Sequence, residues 1–84
     1  MRNAIKLFDV VALTIDLPEH NLWRGQVGTV VETLARGKAF EVEFCDSAGR
    51  AYISLGLRPD QMMVLHYELL PVSELVPAYE EGQV

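Results

Sequence analysis

The chain alternates between short apolar runs and small clusters of turn-forming residues. The clearest run is "FEVEF", residues 40–44, where Phe40, Val42 and Phe44 fall on one side and Glu41 and Glu43 on the other. That period of two is the mark of a strand with one buried face. An earlier strand is predicted over residues 8–14, "FDVVALT", β-branched and followed by the turn signals Asp16 and Pro18. Residues 27–34, "VGTVVETL", form a strand in which Val30 and Val31 cannot both be core residues on a flat sheet; a strongly bent strand buries each on a different side. Two further strands are read over residues 51–55, "AYISL", and 62–65, "MMVL".

The connections fit this pattern. "ARGKA" supplies a hairpin turn, with Gly37 where positive φ is wanted. "CDSAGR" supplies another, opened by Asp46 and closed by Gly49 in the left-handed conformation. "RPDQ" reads as a turn or a single turn of 3₁₀ helix. Residues 15–26 make a longer connection of about a dozen residues, a length at which loops often carry function or packing of their own. Five short strands with tight turns and no convincing helix predict an all-β fold, a small SH3-like barrel with a C-terminal extension. Curling such a small sheet limits its exposed edges. The barrel is assigned to residues 1–66 and the extension to 67–84, where Pro71 and Pro77 break any long element. Residues 68–72 are expected to lie against the barrel and the end beyond Pro77 to be mobile.

Length and composition narrow the function. Eighty-four residues make one domain, and a 50% hydrophobic content lets it fold unaided, with no space for an internal active-site cavity. Twelve acidic and seven basic residues give a net charge of −5, which repels phosphate backbones and anionic lipid. No apolar run is long enough to span a membrane. Asp9 interrupts the N-terminal apolar stretch and no small-residue cleavage site follows it, so no secretory signal is expected. A single cysteine, Cys45, leaves no internal disulfide, and the chain reads as cytoplasmic.

Gly25 and Gly28, in "LWRGQVGTVVE", invite a phosphate-loop reading that fails on context. Such a loop needs a helix after its glycines, and here a β-branched run follows. Gly25 is read instead as a turn residue, and Gly28 as a place where the strand bends or another backbone approaches closely. The same stretch, "RGQVGTVVE" followed by "FEVEF", resembles the glycine–turn–strand signature of SH3-like small barrels. It is similar to the KOW modules of ribosomal and transcription proteins and to the β-subunit domain of nitrile hydratases. A narrower resemblance covers residues 7–66: "FDVVALTIDLPEHNLWRGQVGTVVE" with "EVEFCDSAGRAYISLGLRPDQMMVL" resembles a family of small bacterial proteins of unknown function, frequent in cyanobacteria. That resemblance implies an SH3-like barrel and no established catalytic residues. It also suggests a place in two-gene modules, such as a toxin and its neutraliser.

The candidate chemistry is sparse. Arg24 and Arg50 fall at one end of the predicted barrel and Arg36 and Lys38 at the other, with Glu32, Glu41 and Glu43 between them, so no basic stripe forms and nucleic-acid binding is disfavoured. His20, His66 and Cys45 are isolated in sequence, so no metal and no cofactor is expected. Ser47, Ser54 and Ser73 lack a nucleophile elbow, and an enzyme is not expected. Protein binding is the favoured class. Trp23, flanked by Leu22 and Arg24, either anchors a partner or folds back over the barrel's open end. Met62, Met63 and Leu65 either fill the core or adapt to a partner. Tyr67, Leu70 and Tyr79 give the extension apolar residues that dock on the barrel or pair with another chain, leaving a homodimer open. The concrete expectation is a non-catalytic acidic module that caps a basic protein partner through loop 16–24 and residues 67–79. An accessory domain of an enzyme complex and an RNA-binding module are the other readings carried.

Overall fold

The computed structural model describes residues 4–66. The expectations placed on residues 67–84, including those for Tyr67, Leu70 and Tyr79, lie outside the described residues. Five antiparallel strands run through the described part: β1 (Val10–Leu13), β2 (Val27–Leu34), β3 (Ala39–Cys45), β4 (Ala51–Leu57) and β5 (Met62–Val64). They form one sheet in the order β4-β3-β2-β1-β5. Two single turns of 3₁₀ helix, Pro18–His20 and Pro59–Gln61, sit in the connections, and a tight left-handed turn over Ala35–Gly37 joins β2 to β3.

This order forces the sheet to curl. Strands β4 and β5 are its two edges, yet only residues 58–61 join them. Laid flat at ~4.8 Å per strand, the edges stand roughly 19 Å apart. A 3₁₀ turn rises only about 2 Å per residue, too little to cross that gap. Leu57 at the end of β4 and Met62 at the start of β5 are buried in the same core as Val11, Leu13, Val30, Val42 and Phe44. The fold is therefore all-β, an open sheet wrapped round one core, consistent with a small SH3-like barrel.

The strand boundaries depart from the sequence reading at one informative place. The first strand begins at Val10, because Phe8 has φ 71 and belongs to a turn. In β2 a bulge falls between Val30 and Glu32, making Val31 the extra residue. Val30 is buried and Val31 exposed, so a bulge resolves the conflict between the two valines. Gly28, opposite Phe44 on β3 and Val11 on β1, permits close packing against β3. A Cβ added there meets Val42 Cγ1 at 2.7 Å and both Glu43 O and Phe44 Cε2 at 2.9 Å.

Candidate functional site

The outward side of β1 is the starting point. Val11 and Leu13 are buried in the core, so the period of two puts Val10 and Ala12 on the opposite face, where Val10 is half-buried and Ala12 is itself buried. The register sets Ala12 between Val27 on β2 and Met63 on β5. Val10 lies beside Thr29, and Leu65 N–H donates to Val10 O at 2.9 Å. Up to the bulge, the outward positions of these three strands carry no charge and Thr29 alone is polar; beyond it β2 turns Glu32 outward. Val27 is 51% exposed and Met63 53%.

A strained turn over residues 6–9 adds to this apolar face. Asp9 N–H donates to Lys6 O at 3.0 Å, Lys6 N–H donates to Asp9 Oδ2 at 2.8 Å, and Phe8 N–H donates to Val30 O at 2.7 Å. Together these bonds hold Phe8 in the left-handed region, which costs a bulky residue about 1–2 kcal/mol. The side chain is not hidden in return: Phe8 is 70% exposed, Leu7 before it is also exposed, and bulged Val31 sits next to the Val30 carbonyl that Phe8 engages.

The neighbouring half of the sheet is dressed differently. Glu41 and Glu43 point outward from β3, with Glu43 between Thr29 and Ser54. Glu41 stands directly opposite Glu32 and accepts a hydrogen bond from Ser54 Oγ at 2.7 Å. This side of the barrel is polar and acidic.

Among the described residues β5 is an edge strand, and a groove of about 470 Å³ runs along it, lined by Ile5, Pro59, Met62, Met63, Val64 and His66. A smaller hollow of about 310 Å³ adjoins it across Ile5 and Pro59. Thr14 N–H bonds Gln61 O and Leu65 N–H bonds Val10 O, so alternate residues of this segment, Met63 included, turn their backbone polar groups to β1. Val64 turns its own toward the groove. The groove can accept apolar side chains and backbone hydrogen bonds, the two needs of an extended peptide.

The loop singled out from the sequence is more closed than expected. Leu17 and Leu22 exchange backbone hydrogen bonds around the Pro18–His20 turn, and both side chains enter the core. Leu22 is 0% exposed, which removes it from any recognition surface: a leucine, not Trp23, plugs this end of the barrel. Trp23 is 48% exposed, held at the backbone by Gln26 Oε1, and Arg24 N–H bonds Asp16 Oδ1. Gly25 has φ 93 in this turn, and Gly37 and Gly49 have φ 88 and 82 in theirs. Cys45, isolated in the sequence, is exposed at the end of β3. Arg50 and Arg58 pair with Asp46 and Asp60, each at 3.2 Å on the surface, where such pairs contribute little.

Of the residues chosen from sequence, Met63 and Leu65 lie on the apolar face and Trp23 borders it; Phe8, Val10, Ala12, Val27 and Val31 were missed. The signal for them was "VVAL" in β1, which offers no polar residue to either side and so asks for cover on both. Among the described residues no helix is long and apolar enough to cross a membrane, and no three His, Cys, Asp or Glu side chains gather as a metal-holding group. No match was found among curated proteins or among solved structures. The model of a domain-of-unknown-function family, DUF4926, matches residues 7–64, the span from the strained turn to the end of β5, and the chain belongs to that family.

Proposed function

We propose that the domain is a non-catalytic protein-binding module that regulates or neutralises a partner, with the outer face of β5-β1-β2 as its contact surface. One observation carries this reading: Phe8, Val27 and Met63 are each more than half exposed. Contiguous apolar surface of that kind marks interaction sites. Trp23 and Arg24, exposed in the turn that leads into Val27, border the face with residue types enriched at binding hot spots. The net charge of −5 favours encounter with a basic partner, since complementary fields raise association rates. The test is purification of the intact chain from its native cells at low salt, beside a Phe8→Lys variant shown to be folded by circular dichroism. A protein recovered in stoichiometric amount with the native chain and lost from the variant supports the reading. Equal recovery with both, or none with either, removes it.

A further inference from the structure

We infer that a second copy of this chain packs on the apolar face of β5-β1-β2, sheet against sheet. The inference rests on the reading of that face as a protein-binding surface and names its partner. Three features point to self-association.

The first is area. Phe8, Trp23, Val27, Val31 and Met63 keep between 38% and 70% of their surface exposed. With Val10, Leu65 and Leu7 they form an apolar surface on the scale of the ~600 Å² per copy that the smallest stable dimers bury. Two copies then bury roughly 1,200 Å², the lower bound for stable specific interfaces.

The second is symmetry. β1 is the middle strand of the three, with β2 on one side and β5 on the other. A two-fold axis running along β1 lays β5 of one copy over β2 of its partner copy, so the same patch meets itself and the assembly closes as a dimer. In that arrangement Met63 meets Val27 twice. The row Val27–Ala12–Met63 has its smallest side chain in the middle. The methionine's unbranched chain adapts to irregular surfaces, which suits it to the partner copy's Val27.

The third is charge. Copies carrying −5 each repel one another, but Glu32, Glu41 and Glu43 sit at the margin of the patch, on β3 and on β2 beyond the bulge. The central row Val27–Ala12–Met63 is uncharged.

Sedimentation equilibrium of the full chain tests the inference. The expected result is a dimer at tens of micromolar protein. Met63→Glu, which sets two carboxylates in the contact, weakens it at least tenfold, while Glu43→Lys on the acidic side leaves it intact. Cross-linking covers the case in which Met63→Glu does not fold. In a Cys45→Ser background, chains with Met63→Cys mixed with chains with Val27→Cys form disulfide-linked pairs faster than chains with Met63→Cys mixed with chains with Glu43→Cys. A chain that stays monomeric at several hundred micromolar, or cross-linking that is equal in the two mixtures, overturns the dimer. If the chain is monomeric while Phe8→Lys still releases a different protein, the dimer fails and the protein-binding reading stands. If neither association is seen, both fall.

Discussion

Strands β1 and β3 are alike inside and opposite outside. Each buries alternate residues in one shared core: Val11 and Leu13 from β1, and Phe40, Val42 and Phe44 from β3. Outside, β3 presents Glu41 and Glu43, whereas β1 presents Val10 and Ala12 between Val27 and Met63. The carboxylate side is complete as it stands, because water solvates it. The apolar side leaves surface in water at about 25 cal/mol per Å², and nothing in the fold requires it to be apolar. The inner halves of the strands build the sheet. The outer halves divide it into a solvated region and a region suited to contact.

The largest effect is expected at the seam between these regions. Gly28 pairs with Val11 toward the apolar half and with Phe44 toward the acidic half. Gly28→Ala places a methyl 2.9 Å from the Glu43 carbonyl oxygen, a backbone atom that cannot turn aside. The expected cost is about 2 kcal/mol of unfolding free energy, read from urea denaturation. A loss below about 0.5 kcal/mol would show that β2 and β3 can separate at little cost and that the halves are less tightly joined than the coordinates imply.

How much of this was legible in the sequence depends on what each residue had to reveal. β3 was plain because Phe40–Glu41–Val42–Glu43–Phe44 alternates with no exception. Its partner β2 was ambiguous because Val30 and Val31 are equivalent as letters. Only pairing with β3 inserts the bulge that buries one and exposes the other. Phe8 looked like the start of a strand, since its left-handed φ follows from hydrogen bonds to Lys6, Asp9 and Val30 that no local propensity displays. In the long loop, size and rarity drew attention to Trp23. The Leu17–Leu22 backbone pair decides which side chains turn inward, and it chooses the leucines. The apolar outer face was readable in principle from "VVAL". It is missed when a strand is assumed to have only one face to cover.

A smaller effect of opposite sign is expected at the far end of the seam, in the turn between β2 and β3. Ala35, Arg36 and Gly37 have φ of 50, 58 and 88, three successive residues in the left-handed region. Only the glycine adopts this without a steric penalty. Arg36→Gly relieves about 1–2 kcal/mol of strain and gives back about 0.5–1 kcal/mol through greater freedom of the unfolded chain. The net expectation is a gain of about 1 kcal/mol, seen as a higher urea midpoint with an unchanged slope. A loss of stability on this substitution would mean that the arginine side chain makes a compensating contact, and that the turn is not a strained element at all.

The smallest effect sharpens the contrast between the two outer regions. Glu32 and Glu41 stand directly opposite each other across β2 and β3, a like-charge pair that a stability-optimised sheet avoids. Glu41 accepts the Ser54 hydroxyl at 2.7 Å, so its carboxylate is held in place on the β4 side, while Glu32 is exposed. Glu32 is therefore the partner to change. Glu32→Lys exchanges repulsion for attraction and is expected to raise stability by about 0.5 kcal/mol at low ionic strength. The gain should shrink as salt screens the pair. Glu32→Gln should recover roughly half of the gain, because it removes the repulsion without adding an opposite charge. Both substitutions should leave association through the apolar face unchanged, since Glu32 lies beyond the bulge. If Glu32→Lys strengthens that association in a salt-dependent manner, then the acidic region reaches the contact. The division of the surface into two independent halves would have to be abandoned.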